Sequence, residues 1–163
     1  MVLVGRWKQV INIIKKSEAT YILLIHVSED LEIKIGQLGE VFFKEGDYIY
    51  IGSAKDSLDA RLRRHLRKGK KTYWHIDYLL RSEKIKILRI WIIDKKMECQ
   101  TAEVFCQNPA TEIIKKGFGS SDCRCLTHLF FAKDKKKTEK ILKKIGFSVY
   151  YSFSKFKVDN SLL

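Results

Sequence analysis

Two short stretches hold the residues whose types and spacing best suit chemistry. The first runs Asp47-Tyr48-Ile49-Tyr50-Ile51-Gly52-Ser53 and continues into Leu58-Asp59-Ala60-Arg61-Leu62-Arg63-Arg64-His65-Leu66-Arg67. Its alternation of aromatic and β-branched side chains predicts a mostly buried strand, ended by Gly52 and Ser53 where the backbone turns or meets a ligand closely. The basic stretch predicts a helix over 57–68 with Ser57 as its N-cap. On a helical wheel Leu58, Leu62 and Leu66 form an apolar stripe, Arg61 and His65 stack on one flank of it, and Arg63 and Arg67 point to solvent. A half-buried Arg61 guanidinium can hold a phosphate through two donors. His65, one turn later, can supply a proton or a hydrogen bond. The same helix also fits a solvated basic face that grips phosphate without catalysis.

The second stretch is a helix expected over 98–107. Glu98 projects with Thr101, Ala102, Phe105 and Cys106 on the apolar side, while Glu103 lies nearer solvent. An inward carboxylate is costly unless it is paired or bound to a cation. Hard ions such as Mg²⁺ are commonly held by one or two carboxylates with water and phosphate oxygens. A first-turn acid that favours the helix dipole, or a salt bridge to Arg61, explains Glu98 equally well.

The totals narrow the partners. The chain has 163 residues, with 32 Lys+Arg against 19 Asp+Glu and a formal charge of +13. An excess of that size on a small domain points to a polyanion, above all nucleic acid; a solubility surface or high-temperature adaptation is the plainer alternative. Lys55, Arg64, Arg67, Lys68, Lys70 and Lys71 are the expected phosphate-gripping set, with Trp74 beside them as a base-stacking candidate. Hydrophobic content of 45% supports a packed core. No apolar run approaches the ~20 residues that cross a bilayer, and the N-terminal apolar residues precede the charges, so a cytoplasmic protein with reduced cysteines is expected.

To position these groups the chain needs a sheet flanked by helices. Strands are expected over 21–27, 31–35, 40–43, 47–53, 85–93, 127–132 and 148–153, the first four as an antiparallel meander. Helices are expected over 5–16, 57–68, 74–80, 98–107, 110–116 and 134–144. Without a regular βαβ rhythm the class is α+β with a mainly antiparallel sheet, in one domain: a core over about 20–131, an N-terminal helix over 5–16 and a C-terminal helix-strand extension over about 133–155.

Tyr21, Tyr50-Ile51-Gly52, Arg61-x-x-x-His65 and Glu98 together resemble the GIY-YIG nuclease superfamily. The surrounding words, from Gly46 to Ala54, Arg64-His65-Leu66, Trp74 to Leu79, Glu98-Cys99 and Gly117 to Cys123 with Cys125 and His128-Leu129, resemble its Uri-type, largely archaeal branch. Two departures stand out. Ala19-Thr20-Tyr21 replaces the usual Gly-Ile-Tyr, and a hairpin over 31–43 lengthens the interval between Tyr21 and Tyr50. No clear counterpart of the family's late asparagine appears; Ser121 and Asp122 are guesses at its place.

The resemblance implies a single-metal endonuclease that hydrolyses phosphodiesters in DNA, single-stranded or branched, in repair or processing. It implies Glu98 as ligand of one Mg²⁺ or Mn²⁺ and Arg61 as phosphate clamp. Tyr21 or Tyr50 would position or deprotonate water, with His65 the competing base and Gly52 and His75 in support. The alternatives are a binding module that keeps the fold without turnover, and a nuclease directed at RNA.

A further group stands apart. Cys123-x-Cys125-x-x-His128, joined by Cys99, offers four soft ligands, enough for tetrahedral zinc. The single residue between Cys123 and Cys125 is tighter than the usual two to four, and a buried thiol cluster is the other reading.

Overall fold

The structure is a computed structural model and describes residues 18–152. The helix expected over 5–16 lies outside them, as does the end of the C-terminal extension. The fold is α+β, as expected. Six strands form an antiparallel sheet in the order β6-β7-β4-β1-β5-β8: β1 (Ala19–Val27), β4 (Gly46–Ala54), β5 (Ile85–Ile93), β6 (Thr111–Ile113), β7 (Leu129–Ala132) and β8 (Ser148–Ser152). Two more, β2 (Leu31–Lys34) and β3 (Glu40–Phe43), pair only with each other. Among the described residues four α-helices flank the sheets: α1 (Leu58–Leu66), α2 (His75–Leu80), α3 (Glu98–Cys106) and α4 (Lys135–Ile145).

β1 and β4 are buried along most of their length and apolar through their middles, because both of their faces are covered. Tyr21, Leu23, Ile25, Tyr48 and Tyr50 pack on one side with Leu58 and Leu62 of α1 and Ile76 and Leu79 of α2. Ile22, Leu24, Ile49 and Ile51 pack on the other with Ala102 and Phe105 of α3 and Leu142 of α4. Burying a side chain of this size is worth roughly 1.5–3 kcal/mol, so the central pair is the most firmly held part of the molecule.

Three expectations are corrected. The meander does not form: the hairpin of β2 and β3 leaves the main sheet, and β4 pairs directly with β1. The exposed, charged alternation of β2 and β3 explains this, since they can cover only one face. Residues 111–113 form a strand and not part of a helix over 110–116. Thr111, Glu112 and Ile113 pair with Ala132, Phe131 and Phe130, and β-branched residues beside an available edge favour the ladder over an isolated turn of helix. On α1 the wheel is rotated: Leu58, Leu62 and His65 are buried while Leu66 is 44% exposed.

Candidate active site

The register of β1 against β4 sets Tyr21 opposite Gly52 and Leu23 opposite Tyr50. Side chains two apart share a face, so the two phenols become diagonal neighbours despite the hairpin between them. Gly52 is required by that closeness. The Tyr21 ring lies across it, and a Cβ at Gly52 would overlap the ring and its hydroxyl. Gly119 makes the same allowance for Tyr50: its backbone is left-handed at φ +72°, and a Cβ would sit 2.9 Å from the Tyr50 ring.

Thr20, next to Tyr21, ties the second element to the first. Its hydroxyl donates to the Lys95 carbonyl at 2.7 Å and accepts the Met97 N–H at 2.8 Å. The first turn of α3, and with it Glu98, is thereby pinned beside the end of β1. Arg61 comes from α1, whose N-terminus is capped by Ser57 accepting the Ala60 N–H at 3.2 Å. Tyr21, Tyr50, Arg61 and Glu98 all line one polar cleft of about 510 Å³. Chain segments nearly eighty residues apart converge there.

Electrostatics divide the roles. Burial pushes the Tyr21 hydroxyl well above the ordinary tyrosine range; Tyr50 and Glu98 add to this, and Arg61 only partly opposes it. Tyr50 is raised chiefly by burial as well, with Glu98 contributing. Both phenols therefore keep their protons at neutral pH. Burial alone would raise Glu98 too, but His128, Ser53 and Arg61 together hold its carboxyl below the usual range. Glu98 is an ionised oxygen donor facing a polar cleft, which suits a hard cation.

His65 is not where the wheel put it. It is only 3% exposed and sits behind Tyr21, with Nε2 2.7 Å from the phenol oxygen. Burial, reinforced by Lys70, lowers its pKa to about 3. It stays neutral across the working range, does not line the cleft and holds the Tyr21 oxygen from behind. Lys70 is also corrected. Its ammonium turns inward to the carbonyls of Arg64 and His65 at 2.8 and 3.0 Å, away from any external phosphate. Lys68 divides its donors between the carbonyls of Leu80 and Ser82, while Lys55, Arg67 and Lys71 are exposed.

Trp74 forms one wall of the cleft, with the guanidiniums of Arg61 and Arg64 over its ring at 4.4 and 4.7 Å. The anchor of this wall went unnoticed in the sequence. Asp77 is fully buried, receives Arg64 at 2.7 Å and accepts the N–H groups of Tyr73 and Trp74 at 3.0 Å. An acid three residues after a helix's first flanking position is a capping signal that could have marked it. Tyr73, 81% exposed, extends the aromatic wall edge-on to Trp74. His75 accepts the Gly119 N–H at Nδ1 (3.0 Å) and lines the cleft. Ser121 and Asp122 do reach the cleft.

The soft group is assembled as well. Ligand atoms of Cys99, Cys123, Cys125 and His128 all lie within 4.8 Å of one another, and this Cys₃His set can hold a metal ion. Cys99 is exposed and Cys123 and Cys125 are half-buried, so they are not simply core thiols.

No helix among the described residues is long and apolar enough to cross a membrane. Neither the curated proteins nor the solved structures contain a match to this chain. A family model does match, over residues 20–150, which takes in the whole cleft and the soft group: the chain belongs to the family described as domain of unknown function DUF123.

Proposed function

We propose that this protein is a divalent-metal-dependent endonuclease of the GIY-YIG type that hydrolyses phosphodiester bonds in DNA. The observation that carries the reading is the convergence of Tyr21, Tyr50, Arg61 and Glu98 on one polar cleft. A pure binding surface has no use for an ionised carboxylate set beside the guanidinium that would grip phosphate. The formal charge of +13 supports a polyanionic substrate.

Glu98 would hold one Mg²⁺ or Mn²⁺, which when bound supplies Lewis acidity at the scissile phosphate and a water of lowered pKa. Arg61 donates to a non-bridging oxygen opposite that carboxylate and offsets the charge that develops there. Its stacking on Trp74 fixes the guanidinium plane before substrate arrives. Tyr21 and Tyr50, protonated in the resting cleft, orient the attacking water by hydrogen bonds. His65, holding the Tyr21 oxygen at 2.7 Å, fixes that phenol. The soft Cys₃His set is unsuited to Mg²⁺, and zinc is its proposed occupant.

The test is incubation with single-stranded, duplex and branched DNA, and with RNA, with Mg²⁺, with Mn²⁺ and with EDTA. Metal-dependent strand cleavage of DNA that Glu98→Ala or Arg61→Ala abolishes is expected. Salt-sensitive binding without cleavage would instead leave a binding module, and cleavage confined to RNA would move the substrate.

A further inference from the structure

His128 faces two sites at once. Its Nε2 lies 3.5 Å from the Cys123 sulfur, and its Nδ1 lies 3.1 Å from Glu98 Oε1. The ring is 1% exposed, and Nδ1 has no well-aligned hydrogen-bond partner, so its approach to the carboxylate is close but not yet a directed bond. A neutral imidazole carries one N–H and one lone pair. A carboxylate only accepts, so a proton on the nitrogen facing Glu98 would leave the lone pair on Nε2, toward the thiols. That tautomer is the one a metal-bound histidine uses, with its other nitrogen donating to a carboxylate.

The distances agree with zinc. Bond lengths of about 2.3 Å to sulfur and 2.0 Å to nitrogen in a tetrahedron place ligand atoms roughly 3.5–3.8 Å apart. The Cys123 to His128 separation already has this value, and the whole set needs only a small contraction from 4.8 Å.

The placement of the ligands says what the ion would brace. Cys99 follows Glu98 in the first turn of α3. Cys123, Cys125 and His128 close the loop that brings Gly119, Ser121 and Asp122 to the cleft. The loop's internal backbone bonds are few: Gly117 to Leu126 at 2.7 Å, His128 to Phe118 at 2.8 Å, and two long ones at 3.4 and 3.5 Å. A metal at the thiols therefore joins the two walls of the cleft to each other.

We propose that Cys99, Cys123, Cys125 and His128 bind one zinc ion, and that the ion acts through His128 to aim the Glu98 carboxylate into the cleft. Zinc binding stands on the soft-ligand geometry alone; the role of Glu98 rests on the nuclease reading above. His128 is a positioning residue, not a catalytic one.

The full chain, purified without chelator, is assayed for metal by elemental analysis and then exchanged with Co²⁺. One zinc per chain, and a Co²⁺ spectrum with the intense visible bands of a tetrahedral thiolate site, are expected. Absence of both overturns the site. His128→Cys keeps a fourth ligand while removing the link to Glu98. It should retain zinc yet weaken Mn²⁺ binding at the cleft, read by electron paramagnetic resonance without nucleic acid, by about 10- to 100-fold. Unchanged Mn²⁺ affinity in a zinc-loaded His128→Cys protein overturns the coupling. Zinc and coupling found in a protein that cleaves no nucleic acid would support this inference and sink the nuclease reading.

Discussion

The cleft and the thiol cluster share a boundary at Glu98 and His128, yet they are held in place by opposite means. The cleft's phenols stand on β1 and β4, whose side chains are packed on both faces, so the core itself fixes them. The thiols stand on a loop and on one exposed first turn of helix, with few backbone bonds between them. A hydrophobic core can position a tyrosine to a fraction of an ångström because interiors are close-packed. It gives Cys125 partial support and the exposed Cys99 little, so a bound metal would add the cross-link that the core does not supply. The contrast teaches where each kind of damage should appear: lesions in the cleft change chemistry, and lesions among the thiols loosen the wall.

The sharpest way to break that contrast is to remove one group from the cleft. Arg61→Ala should cost two to three orders of magnitude in cleavage rate while changing the melting temperature little, as measured by gel assay and thermal scan. Arg61→Lys should recover little, since an ammonium neither forms the two-pronged contact nor stacks on Trp74 as a plane. A loss of only a few fold would remove Arg61 from the phosphate. Asp77→Ala is next. It leaves Arg64 and Lys70 facing a vacated buried acid and frees the N–H groups of Tyr73 and Trp74. Breaking a buried pair costs about 3–5 kcal/mol, so urea unfolding should register a loss near that size. A loss under 1 kcal/mol would mean that the wall does not depend on its acid.

Much of the cleft was legible because its parts sit in strongly patterned segments. The strand Ile85–Ile93 and the Ser57 cap appear as read, and Glu98 opens its helix where the apolar spacing begins. What escaped reading depended on partners distant in sequence. Residues 111–113 have apolar spacing compatible with either helix or strand, and only the edge of β7 decides between them. Leu66 was read as core because a wheel knows spacing but not what the neighbouring surface offers. His65 took the buried place because Tyr21 supplies it with a hydrogen bond there. Lys70 falls in the expected phosphate-gripping set because charge patterning cannot see two carbonyls and a buried acid arranged around an ammonium.

A smaller effect tests the packing of the two phenol strands. Gly52→Ala places a methyl group into the Tyr21 ring. Overpacking of this kind costs about 1–3 kcal/mol, or a fall in melting temperature of roughly 2–4 °C per kcal/mol for a chain of this size. Cleavage should fall by more than the stability does, because the displaced group is itself part of the cleft. Equal wild-type activity in Gly52→Ala would show that the position of Tyr21 does not matter to turnover.

The gentlest probe is acid. His65 is buried beside Tyr21 and faces the charges of Lys70, Arg61 and Arg64 as well as the buried Asp77. Its pKa is about 3 in the fold and about 6.5 in an unfolded chain. Between those values the unfolded state binds the proton and the folded state does not, so stability falls as pH drops. At pH 5.5 the unfolded chain is mostly protonated at this site, and the loss relative to pH 7.5 is about 1.4 kcal/mol. Asp77, Glu98 and His75, each held below its ordinary range, add slopes of the same sign. The contribution of His65 is therefore isolated by difference. His65→Gln should be less stable than the unaltered chain at pH 7.5, and the gap should narrow by about 1.4 kcal/mol at pH 5.5, read from urea curves at both values. A gap that stays constant would mean that His65 takes up its proton in the fold as readily as in water. A histidine that did so would be open to solvent, and Tyr21 would then need another partner to hold it across Gly52.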